Sequence, residues 1–317
     1  DYIYEYGAGT YPNAGQGLPD RVLAPATEIV ALTDYRLRYA TYRADPDCQR
    51  LHQVLPMIAV WDDHETANDS YRDGAQNHQR ETEGDWEVRK AAAKRAYREW
   101  MPVSDEPYAA YQVGDLATLF RLDTRLEGRE QQFSLEKVLA GQKDPQAAQA
   151  MLEAFREGDW ANPERQLLGA AQENWLAEGL AASTASGTPW QVLVQQVLIG
   201  NLRSPQSLMD QLGSALPDFV SQRLKAASMA SKAGLPLNMD AWDGYPAARQ
   251  RLYDSARTAG ANLVTLTGDS HNAWAFDLAD KAGPIGVEFA GQSVSSYGFE
   301  RRFNGDAARL AADFIAT

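Results

Sequence analysis

The chain has 317 residues, 44% of them hydrophobic and 23% charged, an ordinary globular balance for a chain long enough to bury a substantial core. Its 30 Lys and Arg stand against 43 Asp and Glu, a formal charge of −13, which excludes the basic footprint that nucleic acid or an anionic membrane surface requires. The single cysteine, Cys48, excludes an intramolecular disulfide and a cysteine zinc cluster, and no stretch approaches the roughly 20 apolar residues of a membrane-spanning helix.

In chain order, Asp1-Tyr2-Ile3-Tyr4 reads as the end of a strand that begins upstream. Residues 7–20 are rich in Gly and Pro and read as a loop. A helical pattern covers residues 27–53, with Thr33-Asp34 as cap residues. Leu55 to Trp61 is a short apolar run that predicts a buried strand. A helix is predicted over residues 85–100, ended by Met101-Pro102, and strands between Tyr111 and Asp123. Residues 126–165 are polar and charged and read as an insertion or lid. Then follow a helix from Leu168 to Ala182, a strand from Trp190 to Ile199, and loop and helix over 200–240. A helix over 246–260, a strand from Leu263 to Thr267 and a last strand from Ile285 to Phe289 complete the pattern. Strands alternating with helices mean a layered α/β domain.

Two predicted strands stop at acidic residues, at Asp62-Asp63-His64-Glu65 and at Gly268-Asp269-Ser270-His271, and Asp1 is a third case. Open α/β sheets gather their sites at the carboxyl ends of strands. A carboxylate buried there is costly unless a cation or donor meets it. Carboxylate oxygens suit hard cations and imidazole suits zinc, iron or copper. Of the four histidines, His64 and His271 fall directly after strand-end acids. The bland readings are specific too. Asp62-Asp63 also fits an acidic helix N-cap, and His271 a core histidine. His52 reads as structural, His78 as solvated, Cys48 as a small core residue, and Asp123-Thr124-Arg125 as a buried ion pair near a strand end. A serine-hydrolase elbow, a P-loop, a dinucleotide fingerprint after a strand and an EF-hand loop are all missing from the sequence.

Several segments resemble the PhoD-like alkaline phosphatase family: Asp1 to Gly7, Leu32 to Tyr39, Trp61 to Glu65, Leu168 to Leu176, Asn238 to Pro246 and Leu266 to His271, in family order. The resemblance implies a metallophosphoesterase-like α-β-β-α sandwich with helical insertions, in which a central pair of sheets is flanked by helices. It implies periplasmic or secreted hydrolysis of phosphomonoesters and phosphodiesters with Fe3+ and Ca2+, other divalent metals also suiting the donors. Carried over by position, Asp1 is the bridging carboxylate and Tyr4 a phenolate ligand of ferric iron. Asp63 and Asn68 are candidates for calcium or a second metal, and Asp269 and His271 are the last ligand pair. His64, with Asp63 and His271, is the catalytic candidate that orients phosphate or protonates the leaving group. Arg36, Arg38 and Tyr245 are placed at the mouth.

Two departures from the wider superfamily carry chemistry. Asp63-His64-Glu65 stands where Asn-His-Glu is usual, and Gly268-Asp269-Ser270-His271 where Gly-His-x-His is usual. Both introduce an anionic oxygen donor, which favours harder cations. The family also places a cysteine ligand on a strand upstream of Asp1, a position Cys48 does not match, so residues 1–317 are expected to be a catalytic domain without its first strand and any upstream domain. The substrates implied are small phosphoesters. A phospholipase D-like phosphodiesterase, an inactive metal-binding relative and a calcium-binding adhesion module are the rival readings. Oligomeric state is not legible.

Overall fold

Short runs of aliphatic and β-branched residues form one mixed sheet in the computed structural model, which describes residues 1–10, 21–205, 218–298 and 307–316. Its strands are β1 (Ala109–Val113), β2 (Ala117–Arg121), β3 (Trp190–Val194), β4 (Leu263–Thr267), β5 (Trp274–Asp280) and β6 (Gly283–Ala290). They lie in the order β1-β2-β3-β4-β6-β5. The four central strands β2, β3, β4 and β6 are parallel, and β1 and β5 pair antiparallel at the two edges. Parallel neighbours cannot be joined by a hairpin and need a crossover, commonly a helix. Helix α7 (Ala170–Ala185) supplies it before β3 and α9 (Pro246–Ala259) before β4.

Alternation along the strands assigns two faces. Phe120, Leu193 and Leu263 face α7 and α9 and form the main core with Leu176, Leu180, Leu252 and Tyr253. On the other face Leu119, Val192, Val264 and Val287 are in register across four strands, with Val194, Leu266 and Phe289 in the next row. That face is partly open: Leu266 is 42% and Phe289 51% exposed. The entry to α7 depends on a close backbone approach. Gly169 has φ 79°, and a Cβ on Gly128 would lie 2.2 Å from the Leu168 carbonyl oxygen, so both positions need glycine.

Helices α1 (Leu32–Arg43) and α4 (Trp86–Trp100) pack with Ile3, Ile29 and Trp61 in a second cluster built on Tyr35, Tyr39 and Tyr97. Helices α2 (Pro46–Val54) and α3 (Arg80–Glu83) flank it. A third cluster joins α5 (Leu135–Leu139), α6 (Pro145–Glu157) and α8 (Asp218–Lys232) through Leu152, Phe155, Ala230 and Leu235. Helix α10 (Ala307–Ile315) lays Phe314 against Trp274.

The mixed α/β class is as expected from the sequence, and several boundaries differ for identifiable reasons. The helix expected over 27–53 breaks in two. The Asp45 carboxylate accepts from the Asp47 and Cys48 amides and Pro46 fills the first turn, starting α2 afresh. Thr33 lies inside α1, and Asp34 reaches back to the Ala31 amide at 2.9 Å. Leu55–Trp61 joins no sheet, and Leu55 and Ile58 are 55% and 42% exposed. No second sheet forms among the described residues. The strand predicted from Trp190 to Ile199 ends at Val194, where Gln195 bonds the Val197 amide and Trp242 and Gln196 turns to the Trp61 carbonyl. Strand β5 was not anticipated, although Trp274, Phe276 and Leu278 alternate with shorter residues. The segment 126–165 is no uniform polar lid, since Leu126 and Arg129 are buried at its start and α6 packs a core of its own. Of the 200–240 stretch, residues 206–217 lie outside the described residues.

Candidate metal centre

The carboxyl ends of the parallel strands converge on one place. Asp123-Thr124-Arg125 leaves β2, Gln195-Gln196 leaves β3, Gly268 to His271 leaves β4, and Ser293 to Tyr297 follow β6. The loop from Trp61 to Asp69 lies over them. Gln196 ties the layers together. Its Nε2 donates to the Trp61 carbonyl at 2.8 Å, and its Oε1 accepts from the Thr124 amide and hydroxyl at 3.1 and 2.7 Å. The Glu65 carboxylate accepts from the Asp62 and Ile3 amides at 2.6 and 3.2 Å and from the Tyr2 amide, which fixes residues 1–3 beside the loop. The Asp63 carboxylate accepts from the Asp69 amide at 2.6 Å and the His64 amide at 3.0 Å.

Two overlapping groups of ligand-type atoms result. Asp1, Asp63 and His64 form one, and Asp62, Asp63 and Asp269 the other, with the offered atoms of each group all within 4.8 Å of one another. Arg125, whose side chain is fully buried, is the counter-charge. Its Nε meets Asp62 at 2.6 Å, its Nη1 both oxygens of Asp240 at 2.9 and 2.7 Å, and its Nη2 Asp269 at 2.9 Å, with Asp63 at 3.9 Å. Arg129 also holds Asp240, at 2.7 Å.

Charge is not balanced here. Four carboxylates, from Asp62, Asp63, Asp240 and Asp269, share the two guanidinium groups of Arg125 and Arg129. Burial, with Asp62, Asp240 and Asp63 close by, pushes the Asp269 carboxyl well above its ordinary range against the pull of Arg125. Burial and the nearby Asp240 and Asp63 raise Asp69 to about 6. Burial would raise Asp63 as well, but His64, Arg125 and the Asp69 amide outweigh it and hold this carboxyl below the usual range. Burial would lower His64, and the charges of Asp63 and Glu5 reverse that, to about 9. Its Nδ1 lies 2.5 Å from Glu5. Excess buried anionic oxygen of this kind fits a multivalent cation, which would invert the local sign.

His271 suits ligation in its hydrogen bonding. Its Nδ1 faces the Tyr297 carbonyl at 3.0 Å, so that nitrogen carries the proton and Nε2 keeps its lone pair, 3.2 Å from the Tyr4 hydroxyl. The Tyr4 ring lies 4.2 Å from the His64 ring, so Tyr4 links His271 to the group around Asp63. Asp269 and His271 have φ of 61° and 62°, left-handed values that non-glycine residues adopt at a cost of order 1–3 kcal/mol. Two such residues in one strand-end turn are a common mark of a functional site.

The structure thus brings together Asp1, Asp63, His64 and Asp269, with Tyr4 and His271 adjoining. Asn68 is at the rim: its side-chain amide donates to Gln76 at 2.9 Å and its backbone amide to Glu5 at 2.7 Å. The three residues assigned to a mouth are elsewhere engaged. Arg36 makes a two-pronged pair with Glu99, both contacts 2.6 Å, linking α1 to α4. Arg38 is fully buried and donates to the carbonyls of Tyr4, Tyr6, Ala24, Pro25 and Thr27, so it clamps the first residues in place. Tyr245 is buried, donates to the Glu130 carbonyl at 2.7 Å and lies beneath Arg129 and Arg165. His52 meets the Tyr2 hydroxyl at 2.9 Å, as a structural histidine does. The His78 side chain is only 5% exposed, 3.2 Å from Glu83, and is not the solvated residue expected. Sequence reasoning missed Glu5, Gln196 and Asp240, and undervalued Arg125. Arg125 follows the end of β2 just as Asp269 follows β4, and the buried ion pairing read there from the sequence is present, with Asp62, Asp240 and Asp269 as its partners.

The family model described as PhoD-like phosphatase matches residues 1–315. Alkaline phosphatase D of Bacillus subtilis (strain 168) is 32% identical over 330 residues, spanning 99% of this chain and 47% of that protein. A solved structure described as "Structure of PhoD" matches with a TM-score of 0.67 at 30% identity, covering 93% of this chain and 50% of the other. The chain spans about half the length of the relatives it matches.

Proposed function

This chain belongs to the PhoD-like phosphatase family, and we propose that it is a metal-dependent hydrolase of phosphomonoesters or phosphodiesters. The observation that carries the reading is the meeting of Asp62, Asp63 and Asp269 beyond the ends of parallel strands, with more carboxylates than cations. The proposed ligands are Asp1, Tyr4, Asp63, Asp269 and His271, for Fe3+ and Ca2+ or cations of like hardness. Asn68 would join them through its Oδ1, the bond to Gln76 being made by its Nδ2. Such cations supply Lewis acidity and offset the charge of the phosphoester.

The chain's own groups do the rest. Glu5 orients His64 through Nδ1, and the carboxylates of Asp63 and Glu5 raise the proton affinity of that ring. It is then suited to bond a phosphate oxygen or to protonate the leaving alkoxide. Arg125 and Gln196 keep the strand ends and the Trp61–Asp69 loop in register.

Three finer readings belong to the proposal. The open sheet face with Leu266 and Phe289 is taken to be covered by a second sheet, giving α-β-β-α layering. Export from the cytoplasm follows the family resemblance; among the described residues no helix is long and apolar enough to cross a membrane. Substrates are small phosphoesters, with phospholipid as the outlying case. A panel of aryl phosphomonoester, phosphodiester and phosphatidyl substrates, assayed before and after chelation, tests the activity. Hydrolysis that survives complete removal of metal would overturn it.

A further inference from the structure

The loop that follows β6 reaches both Tyr4 and His271. Its root is tied to the end of β4, where the Gly291 amide donates to the Thr267 carbonyl at 3.0 Å and the Ser293 amide to the His271 carbonyl at 3.2 Å. The Ser293 hydroxyl in turn accepts from the Ser296 amide at 2.9 Å. This turn leaves Val294 and Ser295 exposed, with Ser293 and Ser296 half-buried. The Ser296 hydroxyl comes to lie 3.2 Å from the Tyr4 hydroxyl, and the Tyr297 carbonyl 3.0 Å from His271 Nδ1.

The histidine sets the direction of these bonds. A carbonyl only accepts, so Nδ1 carries the proton of His271 and Nε2 the lone pair. The Tyr4 hydroxyl, 3.2 Å from Nε2, therefore donates to it, and the Ser296 hydroxyl donates to the Tyr4 oxygen. A cation held by Tyr4 and His271 takes the place of the Tyr4 proton and uses the Nε2 lone pair, so the bond between these two side chains is given up. The bonds from Ser296 to Tyr4 and from Nδ1 to Tyr297 keep their sense, because ligation needs neither of those protons.

We infer that Ser296 is a positioning residue for the proposed hydrolysis, acting through Tyr4. The inference rests on the reading of Tyr4 and His271 as ligands. Buried Arg38 takes the Tyr4 carbonyl and the His64 ring lies 4.2 Å from the Tyr4 ring, which places the backbone and the ring face. Ser296 meets the oxygen end. A donor on a phenolate oxygen draws charge from it, so the cation beyond keeps more of its positive charge and polarises a phosphoryl oxygen more strongly.

The test loads the purified protein with ferric iron and reads the visible phenolate-to-iron charge-transfer band, identified by resonance-enhanced tyrosine ring vibrations, beside steady-state hydrolysis. The band is expected in wild type and not in Tyr4→Phe. In Ser296→Ala it should move to longer wavelength, because a phenolate that loses a donor gives up its electron more readily. Ser296→Thr keeps the hydroxyl and should return the band to its wild-type position. In Ser296→Ala kcat should fall about tenfold, the lower end of what loss of a ligand's hydrogen-bond partner costs, with little change in KM. A wild-type band that Tyr4→Phe removes, but that in Ser296→Ala stays in place or moves to shorter wavelength, overturns this inference alone. A ferric protein without the band, or a band that survives in Tyr4→Phe, overturns the reading of Tyr4 as a ligand and the inference with it.

Discussion

Replacing Arg125 with Met would remove a buried cation from four carboxylates while keeping a side chain of similar length. Its contacts to Asp62, Asp240 and Asp269 are all 2.9 Å or shorter, and its side chain is fully buried. Breaking a buried ion pair by deleting one partner costs about 3–5 kcal/mol, chiefly because the other charge is left uncompensated. Arg125 leaves three such partners, and Arg129 can still serve only Asp240. The expected loss is therefore about 3–5 kcal/mol or more, a large share of a typical stability of roughly 5–15 kcal/mol. Urea unfolding in the presence of chelator measures it. Adding iron or calcium should narrow the gap, because a cation that binds only the folded state stabilises it by about 2.7 kcal/mol at 100 times its Kd, and the variant's freed carboxylates should bind it more tightly. A loss under about 0.5 kcal/mol in chelator, or a gap unchanged by cation, would refute the reading of these carboxylates as an under-compensated cation site.

Gln196→Ala strips the Trp61 carbonyl and the Thr124 amide of their shared partner; leaving such groups unpaired costs about 1–3 kcal/mol each, and kcat should fall more than KM rises in steady-state assays. Arg36→Ala should change stability by no more than about 1 kcal/mol, as for an exposed ion pair, and leave the hydrolysis rate intact, whereas Arg38→Ala, which frees five carbonyls around residues 4–27, should destabilise severely; an Arg36 variant with strongly raised KM would restore that residue to the substrate mouth. Glu288 accepts the Ile199 and Gly200 amides at 2.8 and 2.7 Å, yet burial raises its carboxyl above the ordinary range. A carboxyl raised by folding favours the folded state below its unfolded pKa, near 4.3, and that contribution is lost as pH climbs through the folded value. Glu288→Gln should therefore gain stability relative to wild type as pH rises above about 4.3, and denaturation curves showing the opposite slope would contradict the assignment.

Two signals made the acidic cluster legible. An apolar run that stops at an acid marks β4 reaching a polar site at Asp269, and scarce histidines beside acids single out Asp269-Ser270-His271 and Asp63-His64 alike, although the run before Asp62 forms no strand. Tertiary pairing was not legible. The Leu55–Trp61 run has the composition of a strand, but strand formation needs a neighbour, and composition does not say whether one exists. Arg36 and Arg38, two residues apart on α1, look alike in sequence. One lies at the surface across from α4 and the other points inward among carbonyls, a difference set by the helix period and the partner elements. Asp240 lies in a loop with no periodic signal, and only folding carries it to Arg125 and Arg129. Arg125 was visible as a strand-end residue, but nothing local shows that a guanidinium will be shared by carboxylates from the Trp61–Asp69 loop, the Asp240 loop and the end of β4.

The most direct measurement is an element-resolved anomalous map from crystals of the hydrolytically active protein, collected on both sides of the iron edge and at long wavelength for calcium. Metal peaks within about 2.0–2.6 Å of Asp63 and Asp269 oxygens, lost together with hydrolysis in Asp63→Asn and Asp269→Asn, are the expected result. Full hydrolysis with no metal bound at these carboxylates would contradict the account.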